Sequence, residues 1–203
     1  MTLKNGSKEI NIVQSHLTRK ISRLKSPRTP RYLVIHYTAG ASSAPGRAQR
    51  TRDNWQTSDR QASADFVVDD ATILQANPDI KNYYCWAVGD GNGAYGITNT
   101  NSISIEMCSM LKAGTSAQKA NHSGWSITPA VRQNTLKLAA YLMRKYNIGI
   151  DRVVRHYDAS RKYCPGIVGW NPGTLCNPDG TSSKDKNNET EWEKFKLELA
   201  TIV

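Results

Sequence analysis

Long apolar runs are missing from this sequence: none approaches the roughly 20 residues that a bilayer-spanning helix needs, so membrane insertion is not expected. The opening stretch, MTLKNGSKEINIV, has no apolar segment followed by a small-residue cleavage site. Synthesis in the cytoplasm without a cleaved signal is therefore expected. Cysteine is scarce. Cys85, Cys108, Cys164 and Cys176 are too few and too scattered for a disulfide scaffold, and no spacing dictates a Cys85–Cys176 pair. Internal repeats are absent, and so is the HExxH pattern of helical metalloproteases. Hydrophobic residues are lean at 38%, yet five Trp and nine Tyr argue against disorder. At 203 residues the chain is long enough to bury a sizeable core as one domain.

Acidic residues are in deficit too: 17 against 27 Lys and Arg, a net charge of +10. The excess is local. Residues 1–60 hold 12 Lys and Arg against 3 Asp and Glu, and the rest holds 15 against 14. Such a charge admits nucleic acid, an anionic membrane or an anionic wall polymer as partner. With no recognition motif for bases, no nucleic-acid partner is expected.

Residues 1–30 read as a basic N-terminal arm, in which Ile10, Val13, Leu17, Ile21 and Leu24 recur at helical spacing. Residues 31–203 read as the functional domain. Tyr32–Tyr37 is a buried strand, Arg47–Trp55 a helix, and Phe66–Val68 and Thr72–Leu74 a hairpin around Asp69-Asp70-Ala71. The Gly-, Asn- and aromatic-rich stretch 77–100 reads as a long surface region of the kind that carries sites. Ser102–Cys108 alternates, with Ile103, Ile105 and Met107 on one face and Ser104 and Glu106 on the other. Thr128-Pro129 caps a helix running to about Asn147. Val153–Tyr157 is another strand, Thr181–Thr190 a loop, and Trp192, Phe195 and Leu199 mark a closing helix. The expected fold is α/β: a single domain with a central mixed sheet flanked by helices.

His36 and His156 fall at strand ends, and Cys164 follows eight residues after His156. Two imidazoles and a thiolate leave the fourth position of a tetrahedral zinc open to water, provided the intervening loop folds back. Each residue also has an ordinary reading, as a structural histidine or a small core thiol. His16 and His122 have no partner pattern and read as surface or loop residues. Cys108 shares the Glu106 face and reads as a small packed residue.

The runs Val34-Ile35-His36-Tyr37-Thr38-Ala39, Ile103-Ser104-Ile105-Glu106-Met107 and Val154-Arg155-His156-Tyr157-Asp158, with Lys162-Tyr163-Cys164-Pro165, resemble the zinc N-acetylmuramoyl-L-alanine amidases. This type-2 amidase family is related to the peptidoglycan recognition proteins and is common among phage endolysins. The resemblance covers roughly residues 32–170. Ala62–Asp69 and Trp86–Gly91 look like its endolysin and autolysin branch.

The resemblance implies one zinc ion held by His36, His156 and Cys164, with Lys162 beside it and Glu106 transferring protons. It implies hydrolysis of the amide between N-acetylmuramic acid and L-alanine in bacterial peptidoglycan, as in a bacteriolytic endolysin that acts on the wall. Trp86, Asp90, Thr98 and Asn99 are candidates for the substrate groove. Some relatives carry a transition-state tyrosine where this chain has Ala64, which puts more weight on Glu106; Asp65 receives no role. Two alternatives stand beside hydrolysis: a catalytically inactive peptidoglycan-binding module of the same fold, and a thiol hydrolase built on Cys164 and His156. Binding-only relatives commonly lack the cysteine, which this chain keeps. The basic arm, apart from the candidate metal site in sequence, is expected to draw the protein to anionic wall polymers.

Overall fold

The computed structural model describes residues 10–116, 119–177 and 182–203; residues 1–9 of the arm, and Thr181 in the expected loop, lie outside them. Its strands are β1 (Val13–Gln14), β2 (Ile21–Arg23), β3 (Tyr32–Tyr37), β4 (Phe66–Val68), β5 (Ile73–Gln75), β6 (Tyr83–Cys85), β7 (Ser102–Met107), β8 (Met110–Leu111), β9 (Trp125–Ser126), β10 (Val153–Arg155), β11 (Gly173–Cys176) and β12 (Ser182–Asn187). Its helices are α1 (Arg47–Thr57), α2 (Pro129–Tyr146), α3 (His156–Ser160) and α4 (Thr190–Ala200). Six strands form the central mixed sheet in the order β1-β5-β4-β7-β3-β10. β3 lies between β7 and β10 and is parallel to both; β4 and β5 form the antiparallel hairpin. The expected α/β architecture is the observed one.

The period-2 alternation of strand side chains sorts this sheet chemically. Leu33, Ile35, Phe66, Val68, Ile103, Ile105 and Met107 join one large apolar cluster with Val131, Leu138 and Leu142 of α2 and Phe195 and Leu199 of α4. On the other face Val67, Ala64 and Cys108 pack with Ala48 and Trp55 of α1. That second cluster is smaller, which leaves room beside it for polar side chains.

α2 begins where its sequence says it should. The Thr128 side chain accepts the Val131 amide at 3.1 Å, Pro129 occupies the first turn, and Asn147 ends the helix in the left-handed conformation at φ 53°.

Four local expectations are corrected. The helical spacing of residues 10–24 is not a helix. Ile10 and Ile12 pack against the α2 side of the sheet while Leu17 and Ile21 pack against the α1 side, so the apolar residues serve two cores rather than one stripe. The backbone instead pairs β1 with β5 and β2 with β6. Lys20 and Arg28 are buried. Lys20 Nζ donates to the Ser58 carbonyl, and Arg28 donates to the carbonyls of Ile80, Asn99 and Ser102 and to Asp65.

The second correction concerns residues 153–157. β10 stops at Arg155, and α3 starts at His156, because Asp158 accepts the Arg155 amide at 2.8 Å and pairs with its guanidinium at 2.7 Å. Third, Ser182–Asn187 is not a loop but a strand, β12, antiparallel to β11; its polar composition gave no alternation to read. Fourth, the stretch 77–100 is not all surface: Ile80, Cys85, Val88 and Ile97 are buried. All four cysteines are free. No helix among the described residues is long and apolar enough to cross a membrane.

Candidate active site

The register of β3 against β7 sets His36 beside Glu106 on adjacent parallel strands, both on the face away from α2. β10, the other neighbour of β3, hands the chain to α3, whose first residue is His156. The loop after α3 folds back: Tyr157 donates its amide to the Cys164 carbonyl at 2.9 Å. The donor atoms of His36, His156 and Cys164 thereby lie within 4.8 Å of one another, all three residues buried. His36 Nδ1 is 3.0 Å from His156 Nδ1 and 3.9 Å from Cys164 Sγ.

The outer ring nitrogens explain why the inner ones converge. His156 Nε2 lies 2.7 Å from Asp90 Oδ1, and a carboxylate only accepts, so Nε2 carries the hydrogen and Nδ1 presents a lone pair. His36 Nε2 lies 3.2 Å from Ser104 Oγ, a hydroxyl that can accept from the same tautomer. Gly91 holds the Asp90 turn in place, since a Cβ there would meet the Ala159 carbonyl and Ser160 of α3. Asp90 also pairs with Lys162 at 3.2 Å.

Burial shapes the ionisation of the cluster. Burial first, then the positive charge of its neighbours His156 and Lys162, pushes His36 well below the ordinary imidazole value; burial lowers His156 despite the opposing pull of Asp90. Burial and then the Glu106 charge push the Cys164 thiol far up. A neutral, buried thiol is a poor nucleophile, which argues against a thiol hydrolase. Two neutral imidazoles with inward lone pairs and a thiol that needs a cation to ionise fit a zinc ion chemically. Burial raises Glu106 to about 7, with Arg60 and Lys162 pulling the other way. Burial disfavours the Asp90 charge, but its bond to His156 and the charges of His156 and Lys162 hold the carboxyl below its ordinary value.

A cleft of about 660 Å³ opens over the cluster, lined by His36, Glu106, His156, Lys162 and Cys164 together with Trp86 and α1 residues. Of the groove candidates, Trp86 lines this cleft, and its indole Nε1 donates to Ser22 Oγ at 3.0 Å. Asp90 sits behind His156. Asn99 and Thr98 brace the loop instead: Asn99 Oδ1 accepts the Ala87 and Val88 amides, and the Thr98 carbonyl accepts from Ser102 Oγ.

Ala64 is buried in the α1-side cluster and does not line the cleft. Asp65 is a buried hub that accepts from Arg28, Asn77 and the Ser104 amide, and so fixes the strand that carries Ser104 and Glu106. Cys108 packs in the α1-side cluster, and burial pushes its thiol up to about 12. His122, expected as a surface or loop residue, is buried and accepts the Gly124 amide at Nδ1.

Sequence reasoning missed Ser104 as the partner of His36, although the alternation of β7 had placed it on the Glu106 face. It also missed the cations of the cleft. Arg47, Arg50 and Arg60, part of the basic excess expected to lie apart from the metal site, line the same cleft as His36 and Cys164. Their signal was present as Arg47, Arg50, Thr51 and Asn54 at helical i, i+3, i+4, i+7 spacing.

A mixed sheet thus carries a buried His-His-Cys cluster of the kind that can hold a metal ion, with the Glu106 carboxylate on the adjacent strand. Residues 26–167 match the sequence pattern of the N-acetylmuramoyl-L-alanine amidases, and the chain belongs to that family. It is 30% identical over 158 residues to the N-acetylmuramoyl-L-alanine amidase CwlA of Bacillus subtilis strain 168, an alignment covering 77% of this chain and 51% of that protein. It is 32% identical over 144 residues to XlyB of the same organism, covering 70% of this chain and 39% of XlyB. The chain thus spans about half or less of the length of these relatives. Among solved structures, the catalytic domain of XlyA superposes with a TM-score of 0.63 at 25% identity, covering 94% of this chain and 99% of that one. A mutant endolysin from Bacillus subtilis gives a TM-score of 0.64 at 25% identity, with the same coverage.

Proposed function

We propose that this chain hydrolyses the amide between N-acetylmuramic acid and L-alanine in bacterial peptidoglycan, with zinc held by His36, His156 and Cys164. The observation that carries the reading is the convergence of the three buried donor atoms within 4.8 Å beside Glu106. Family membership and the Bacillus relatives support the choice of bond. The retained thiol and carboxylate favour catalysis over an inactive binding module.

His36, His156 and Cys164 would hold the zinc, which would supply Lewis acidity toward a carbonyl and a water. Glu106, which lines the cleft, takes a proton from the attacking water and returns one to the departing amine. A carboxyl raised to about 7 is matched to both halves of that exchange. Lys162, which lines the cleft, contributes positive charge toward the carbonyl oxygen as it gains charge. Asp90 holds the His156 tautomer and anchors Lys162, and Ser104 orients His36; both position groups rather than react. Trp86 offers an aromatic face to a sugar ring. Thr98 and Asn99 contribute by shaping the loop that carries Trp86 and Asp90. Exposed Arg19 and Arg23 attract anionic wall polymers, while buried Lys20 and Arg28 serve the fold. The expected setting is that of an endolysin made in the cytoplasm and acting on the wall.

Chelation tests the metal. Hydrolysis of purified peptidoglycan is expected to stop in chelator and return with zinc. Full activity in protein shown by elemental analysis to be zinc-free contradicts the reading.

A further inference from the structure

Charge is distributed one-sidedly in the cleft. Among its lining residues are Arg47, Arg50, Arg60, Lys119 and Lys162, against a single carboxylate, Glu106. Lys162 is paired with Asp90, but none of the other four forms an ion pair with an acidic side chain among the described residues. Most of these cations are exposed, and together they give the cleft a positive field that favours an anionic ligand.

The cations are also ordered. Arg47, Arg50, Thr51 and Asn54 fall at i, i+3, i+4 and i+7 of α1 and all line the cleft, while the adjacent flank of the helix buries Ala48 and Trp55, the latter at the margin of the same cleft. Seven helical steps span about 10 Å. An extended peptide advances about 3.3–3.6 Å per residue, so the stripe matches about three residues of extended chain. Two guanidiniums near its start and two hydrogen-bonding side chains farther along suit a peptide whose backbone is polar throughout and whose carboxylates sit toward one end.

We infer that the α1 stripe is a specificity-determining surface that selects stem peptides with free carboxylates over the same peptides with those carboxyls converted to amides, Arg47 and Arg50 being the residues that read the charge. The inference rests on the proposed function for the identity of the substrate, and it adds which chemical form of that substrate the cleft prefers. A neutral amide leaves both guanidiniums without a counter-charge, whereas a carboxylate accepts from them in forked geometry.

The test uses two soluble muramyl peptides, identical except that one carries free carboxylates on the second and third stem residues and the other carries amides. Their dissociation constants are measured by calorimetry on Glu106→Gln protein, which does not consume them. The acidic peptide is expected to bind about tenfold to a hundredfold more tightly, and the preference is expected to shrink as salt rises. In the same background Arg47→Gln/Arg50→Gln is expected to bring the ratio close to one, chiefly by weakening the acidic peptide. Arg47→Lys/Arg50→Lys, which keeps charge and loses the fork, is expected to retain part of it. Both pairs lie on the surface of α1, and an unchanged melting temperature verifies their folding. Equal affinities for the two peptides, or a preference that survives the double glutamine exchange in folded protein, overturns the inference. Cleavage by the wild-type chain separates the two levels: failure to cut the muramyl–alanine amide while the preference persists rejects the reaction and leaves the selection standing.

Discussion

The two faces of the central sheet are built from the same strands and do opposite things. Along β7, Ile103 and Ile105 point to the α2 side and are fully buried among aliphatic and aromatic side chains. Ser104 and Glu106, one step away each, point to the side of the cleft, where one contacts the His36 imidazole and the other carries a carboxyl raised to about 7. The first face holds the fold together by burying area; the second places polar groups where burial alone would oppose them. Stability and chemistry are thus separated by the pleat, not by domain or by distance along the chain.

The sharpest way to test that separation is to change one residue on each face. Glu106→Gln is expected to lower hydrolysis about a hundredfold to ten-thousandfold while zinc content, read by elemental analysis, stays at one ion per chain. Wild-type turnover in that variant removes Glu106 from the mechanism. Ile103→Ala, on the opposite face of the same strand, is expected to cost about 2–5 kcal/mol in denaturant unfolding, with turnover per folded, zinc-loaded molecule unchanged. A large loss of turnover at constant stability there erases the distinction between the faces.

A finer effect follows from the cost of holding Glu106 where it is. A carboxyl whose folded pKa lies above its ordinary 4.5 favours the fold most when protonated; that contribution is complete below 4.5 and is lost as pH rises through about 7. Metal-free Glu106→Gln protein is therefore expected to gain stability over metal-free wild type between pH 5 and 8, by on the order of 1–3 kcal/mol. A difference independent of pH in paired thermal melts contradicts the assignment. Smaller again, Asp90→Asn is expected to weaken zinc binding about 10- to 100-fold in competition with a chromogenic chelator, because the amide bonds His156 without its charge. Unchanged affinity returns Asp90 to the substrate groove.

Much of this was legible in the sequence wherever one periodicity served one face. The alternation of Ser102–Cys108 placed Glu106 correctly, and Thr128-Pro129 marked the start of α2 because capping is a local matter between a hydroxyl and an amide two or three residues on. His36, His156 and Cys164 were legible as residue types, and their convergence follows from β3 pairing with β10 and from the turn after α3.

What was not legible depended on neighbours remote in the chain. Residues 10–24 looked helical because two sets of apolar residues, Ile10 and Ile12 for one core and Leu17 and Ile21 for the other, follow one another at a misleading spacing. Asp90 looked like a groove residue because only the close approach of Gly91 to α3 brings it behind His156. Arg47 and Arg50 of α1 were counted in the basic excess of residues 1–60, read as separate from the metal site; folding carries them to the cleft.

The most direct measurement is mass analysis of peptidoglycan digested by the zinc-loaded chain. The account predicts stem peptides released with free L-alanine amino termini and glycan strands left with intact lactyl groups. New reducing sugar ends without free L-alanine termini would contradict it.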